Sequence, residues 1–286
     1  MPVLLSVLVH LPLMFRLIFY SHPHRPTDLI MLSQSSPFVI LAITFALATS
    51  NLSAANQSLK PLLAQHGDIA LESAFSKPAP LDKGVWLQRQ HTQWEIKNGV
   101  LLGIPSTDEY QKSRDDHQGF EPRISVPVTP AECIAQFSVR FSDGVETPIA
   151  PFVEFGHHVA RVKFSETGVF LIADGESVKV AEAKNFKYIP GKWYHILAEL
   201  KGDEFVMQFA GGPTLYAKHP SFAKPVKSGG NGLGITGPQG GIVEIDNLTL
   251  WSIKSEEQST WAKTRASFPH FQPIILKEKK LAKAAN

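Results

Sequence analysis

The chain of 286 residues holds one cysteine, Cys133, so no disulfide can close within it and any stable fold must rest on a buried core. Cys133 opens an apolar, strand-like run, which predicts a buried, inert thiol rather than a nucleophile. Charge excess is also small. Lys and Arg number 28 against 26 Asp and Glu, a net charge of +2, which argues against nucleic acid or an anionic membrane surface as partner. A third absence is helical periodicity: past Val85 no long amphipathic helix interrupts the pattern, which excludes bundle and α/β classes.

Long apolar runs are confined to the N-terminal end. Residues Pro37 to Ala48 (PFVILAITFALA) have the length of a signal-peptide core, and Ser53-Ala54-Ala55 places small residues at a cleavage site after Ala55. Met31 lies just upstream as a start, although Met31 to Ser36 carries no Lys or Arg. The earlier run Val3 to Tyr20, broken by His10 and Arg16, reads as an over-extended start or, with Arg25, as an N-terminal anchor. The organisation expected is a leader at 1–55, one β domain at 56–253 and a C-terminal tail at 254–286. The chain is expected to be exported, to the periplasm, cell envelope or medium. A membrane is met only through the anchor, if the long start is used.

Within 56–80 a short helix is expected at Leu59–Gln65. Trp94-Glu95-Ile96 and Val100-Leu101-Leu102 flank Asn98-Gly99, the strongest short hairpin signal. Residues Ser106–Gly119 read as a polar surface loop. Strands are predicted at Arg123–Val128, Ile134–Phe141, Pro151–Phe155, Val159–Phe164, Val169–Ile172, Ser177–Ala181, Trp193–Leu200, Glu204–Phe209, Thr214–Ala217, Leu233–Thr236 and Ile242–Ile253. That many short strands, separated by Gly, Pro and Asp, imply an all-β, two-sheet β-sandwich of jelly-roll type with an irregular C-terminal tail. The tail is expected to pack through Trp261, Phe268 and Phe271 and to fray at its basic end, Lys277 to Lys283.

The densest polar cluster is PFVEFGHHVARVKF, Pro151 to Phe164. Alternation places Phe152 and Glu154 on one strand face and Arg161 with Lys163 on one face of the next, so a hairpin would bring Glu154 to a base. A carboxylate among bases suits sugar-hydroxyl recognition or acid/base work, with Glu154 as acid/base and Arg161, His157 and His158 orienting substrate. The bland alternative is a salt-bridged surface hairpin. Trp86 and Arg89, in VWLQRQHTQW, form a second candidate set for stacking on and binding a sugar, against a core role for Trp86 and Trp94. Asp246, inside the apolar run IVEIDNLTLW, needs a partner. Backbone N–H groups are the favoured one; the alternative is a structural Ca²⁺ shared with Glu72. No cofactor is otherwise required.

Three segments, W-x-I-x-N-G-V-L (Trp94 to Leu101), G-K-W-Y-H (Gly191 to His195) and E-I-D-N-L-T-L-W (Glu244 to Trp251), resemble the concanavalin A-like jelly-roll domains of secreted bacterial proteins. The likeness is to the 3-keto-disaccharide hydrolase domain family and spans about residues 70–253. It implies work on glycans. The Asn-Ser-Gly strand and the Gly-x-Glu-x-Gln segment frequent in such domains are absent from TPIAPFVEFGHHVARV, so only Glu154 carries over as the acidic residue. Three readings follow: an exported jelly-roll that binds and hydrolyses a glycoside or keto-glycoside, a non-catalytic glycan-binding module, and a structural envelope protein acting through protein contacts.

Overall fold

A computed structural model describes residues 59–223 and 232–276. The leader at 1–55 and the basic end from Lys277 lie outside the described residues. In chain order the strands are β1 (Ala64–Ser73), β2 (Leu87–Gln88), β3 (Gln93–Lys97), β4 (Val100–Ile104), β5 (Arg123–Val126), β6 (Cys133–Ser142), β7 (Phe152–Phe155), β8 (Ala160–Ser165) and β9 (Gly168–Ala173). They continue with β10 (Val178–Ala183), β11 (Trp193–Lys201), β12 (Glu204–Phe209), β13 (Thr214–Lys218), β14 (Leu233–Thr236), β15 (Ile242–Glu257) and β16 (Ile274–Ile275). Two short α-helices, α1 (Asp108–Lys112) and α2 (Trp261–Ser267), and two 3-10 turns, Asp174–Glu176 and Pro220–Ala223, complete the described elements.

The strands form two antiparallel sheets. The first runs β13-β12-β11-β6-β15-β4-β3, with β1 also paired to β15; the second runs β16-β10-β9-β8-β7-β14-β5-β2. The chain crosses repeatedly between them, so β5 and β14 sit in one sheet while their sequence neighbours β4, β6 and β15 sit in the other. This is the all-β jelly-roll sandwich expected from the alternation. The Asn98-Gly99 hairpin is formed, with both turn residues at positive φ (53° and 79°), as a primed turn requires.

Alternation sorts the two sheet faces. Phe137, Val139 and Phe141 of β6 point inward and meet Val153, Phe155, Val162 and Phe164 in one continuous core. Edge-to-face ring pairs such as Phe141–Phe164, at 5.2 Å between centroids, lock this layer. Cys133 is fully enclosed, and burial, reinforced by Glu132, pushes its thiol up to about 12.

A second, smaller cluster covers part of the outer face of the first sheet. Leu63, Ala64, Ile134, Leu197, Val206 and Trp261 are buried there, sealed by the segment before β1 and by α2. Phe268 stacks on Tyr216 at 4.9 Å, while Phe271 is half-buried.

Three expectations change. The helix at Leu59–Gln65 does not form: the chain enters β1 at Ala64, because the Glu199 carboxylate accepts the N–H groups of Leu62, Leu63 and Ala64 and holds them outside a helical ladder. The loop 106–119 carries one helical turn, α1, whose Thr107 side chain accepts the Tyr110 N–H. The tail is only partly irregular, since β15 runs to Glu257 and α2 follows.

Candidate functional site

Strands β7 and β8 pair with Glu154 opposite Arg161 and Phe152 opposite Lys163. The ladder extends this row to Gly234 on β14 and Ser125 on β5, and the adjacent row reads Arg123, Thr236, Phe152, Lys163. Both rows lie on the outer face of the second sheet, because Val153, Phe155, Val162 and Ile124 face the core.

Glu154 is 8% exposed and lies across Gly234; a Cβ there would stand 2.8 Å from its Cγ. Arg161 Nη2 donates to Glu154 Oε2 at 3.2 Å and stands 3.0 Å from Asp174 Oδ2. Asp174 also meets His158 Nδ1 at 2.6 Å, and His157 Nδ1 lies 3.9 Å from Glu154 Oε1. The guanidiniums of Arg161 and Arg123 cover the Phe152 ring, 4.2 and 5.4 Å from its centroid. Thus Glu154, Arg161, His157 and His158 do converge, joined by Asp174 and Arg123.

Arg123 has no side-chain hydrogen bond among the described residues, and its Nε is buried without a partner. The Nε of Arg161 and the Thr236 hydroxyl are in the same condition. Burial, together with the charges of Arg161 and Arg89, pulls the Arg123 guanidinium below its ordinary value despite Glu154 and Glu121. Arg89 is half-buried, anchored where its own N–H donates to the Arg123 carbonyl. Alternation alone aims Arg123 outward, but nothing local pairs it with Glu154. That proximity exists only because β14 threads between β5 and β7.

Burial alone would raise the Glu154 carboxyl. The nearby His157 imidazole and the charges of Arg161 and Arg123 outweigh it and hold the group below the usual carboxylate range. A general acid needs the opposite shift, whereas a base must be ionised, so the shift speaks only against the acid half of the role predicted for Glu154. Lys163 turns away to the Thr147 and Ala150 carbonyls and to Glu146.

The remaining candidates lie elsewhere. Trp86 is 7% exposed and packs on Phe75 at 5.4 Å, so it belongs to the core and offers no stacking surface. Trp94 is likewise enclosed, bonded through Nε1 to Thr92 and lying over Gly103. Asp246 accepts from the Asn247 N–H and side-chain amide, each at 2.8 Å, which is the hydrogen-bonding role. Glu72 is exposed on β1, and no group of three or more His, Cys, Asp or Glu suited to a metal gathers among the described residues.

Sequence reading also passed over a cleft of about 410 Å³ on the outer face of the first sheet, lined in part by Glu72, Gln136, Ser138, His195, Asn247 and Thr249. Trp193 stands at the edge of the same face, under the Arg140 guanidinium at 4.8 Å, and Arg140 is ion-paired with Glu244.

No family model matches the chain and no curated protein matches it, so the narrower resemblance to 3-keto-disaccharide hydrolase domains rests on the quoted motifs. Among solved structures, the chain is similar to carbohydrate binding module CBM66 from Bacillus subtilis, at 17% identity and TM-score 0.38 over 58% of this chain and 95% of that one. It is similar also to SCLam, a non-specific endo-β-1,3(4)-glucanase from family GH16, at 8% identity and TM-score 0.43 over 70% and 99%. A β-1,3-glucanase from Mycobacterium marinum gives 12% identity and TM-score 0.42 over 65% and 100%. At these identities and scores the likenesses carry no argument about chemistry, which rests on the site itself.

Proposed function

We propose that this protein is an exported, non-catalytic glycan-binding module whose site is the outer face of the second sheet around Arg123, Glu154, Arg161 and Asp174. The observation that carries the reading is Arg123, a largely enclosed guanidinium with a buried, unpartnered Nε beside a second such donor on Arg161. Those two Nε atoms are enclosed, so a ligand oxygen would meet the remaining Nη donors of Arg123, whose side chain forms no hydrogen bond among the described residues and is not fully covered. The carboxylates of Glu154 and Asp174 supply the complementary acceptors, so the face presents both halves of what a sugar hydroxyl needs. His157 and His158 border it as exposed donors or acceptors.

Binding is favoured over hydrolysis on two grounds. Glu154 is held ionised and so is unsuited to protonate a leaving group, and Arg161 occupies the space between the two carboxylates, where the scissile bond of a glycoside would have to lie. Export is proposed from the apolar run at 37–48 and the small residues before 56.

The test is a polysaccharide and oligosaccharide array probed with the full chain, with product release followed in parallel. Wild type is expected to bind without releasing reducing ends. Arg123→Ala is expected to weaken binding about tenfold or more with the fold retained, and Arg123→Lys to recover it only in part, since an ammonium lacks the planar fork. Absence of any glycan binding, or undiminished binding by Arg123→Ala, refutes the reading. Turnover abolished by Glu154→Gln would establish hydrolysis in its place.

A further inference from the structure

We propose that the cleft on the outer face of the first sheet is a second saccharide site, on the opposite side of the sandwich, selective for sugars that carry a free amino group. It extends the glycan-binding reading but stands on different residues.

The cleft has a structural cause. Strand β15 pairs with β4 through Ile245 and with β1 from Leu248 onward, so its neighbour changes at Asp246 and Asn247. At the same point the β15–β6 ladder shifts register between Asp246 and Thr249, and Asn247 takes a φ of 51°. A bulge at a split between two strands opens the sheet face that α2 and the segment before β1 cover elsewhere.

The register then builds a polar array. One cross-strand row reads Glu72, Thr249, Gln136; the next reads Asp246, Ser138, His195. Neighbouring strands stand about 4.8 Å apart and alternate residues along a strand about 7 Å apart, so the two rows spread their polar groups over an area the size of one or two sugar rings. The array contains amide, hydroxyl, imidazole and carboxylate groups, hence both donors and acceptors. Ser138 Oγ meets His195 Nδ1 at 2.7 Å, which fixes the ring and leaves Nε2 for a ligand. With the hydroxyl between imidazole and carboxylate in the row, the order is not that of a nucleophilic triad, in which the imidazole is central.

Charge selects the occupant. The Glu72 carboxylate has no ion-pair partner among the described residues, and the oxygens of Asp246 meet only Asn247. The nearby cation, Arg140, is already taken by Glu244. Glu72 lines the cleft and Asp246 lies beside it in register with Ser138, with only the imidazole of His195 opposite, so the site repels uronic acids and attracts an ammonium, and a de-N-acetylated hexosamine satisfies both the charge and the hydroxyl-binding groups.

The test measures binding of the full chain to a glucosamine tetramer, an N-acetylglucosamine tetramer, a galacturonate tetramer and spermidine. Expected is preference for glucosamine, weakened at least fivefold by Glu72→Gln and by Gln136→Ala, both exposed positions that leave the fold intact, and unaffected by Arg123→Ala. Wild-type affinity in both cleft variants overturns the proposal, as does equal binding of the acetylated or uronate tetramer. Spermidine binding as tight as glucosamine overturns the saccharide assignment. If Arg123→Ala abolishes glucosamine binding while the cleft variants do not, there is one site, on the second sheet: the functional reading above then survives and this one falls.

Discussion

Arg161 and Glu154 face each other across the β7–β8 pair at 3.2 Å, both side chains nearly enclosed on the outer face of the second sheet. Removing the cation leaves two carboxylates, Glu154 and Asp174, without their shared partner. Arg161→Gln is expected to cost about 3 kcal/mol, the usual scale for breaking an enclosed ion pair from one side.

The sign of the pH effect follows from Glu154. Its folded pKa is depressed, so the pair's contribution is present above the ordinary carboxylate range and lost as pH falls through the depressed value. Urea denaturation of wild type from neutral to acidic buffer should show that loss. In Arg161→Gln the acid limb should move to higher pH; an unmoved limb would show that the pair does not set it.

Glu199 works in the opposite direction. It is fully enclosed and accepts three backbone N–H groups from residues 62–64, yet burial outweighs those donors and raises its pKa. Its favourable contribution is therefore full below the ordinary carboxylate value and declines as pH rises through the raised folded value. Glu199→Gln turns donors toward donors and is expected to cost about 2 kcal/mol, with a gap to wild type that is widest in acid. Hydrogen exchange at Leu62, Leu63 and Ala64 should accelerate selectively, and unchanged exchange there would contradict the clamp.

Trp261 anchors the tail. It is fully buried on α2, and its Nε1 donates to Glu204 Oε2 at 3.3 Å. Trp261→Ala should cost about 3–5 kcal/mol, the range for deleting a buried aromatic. Trp261→Phe, which keeps most of the packing, should recover much of that. Thermal melts of the two variants and wild type decide the point, and equal melting of Trp261→Ala and wild type would show that the tail is not anchored there.

Much of the fold was readable because its signals are local. The Asn98-Gly99 turn, the two-residue period of β6, β7, β8 and β11, and the outward aim of Glu154, Arg161 and Lys163 all depend on residues within a few positions of one another. β1 was missed for the complementary reason. Its residues carry little alternation of their own, with exposed His66, Asp68 and Ile69, and the strand forms because β15 offers a ladder and Glu199 an anchor more than a hundred residues away.

The sequence by itself determined an all-β sandwich, an inert Cys133 and a polar hairpin centred on Glu154. Only the tertiary structure decided what that hairpin meets. Strand order brings Arg123 to Glu154 through β14, folds Trp86 into the core, and lines up Glu72, Asp246 and His195 from three separate segments over a bulge. Periodicity determines which face a side chain takes, a property of one strand; which side chains share that face is a property of strand order, set by packing across the whole core.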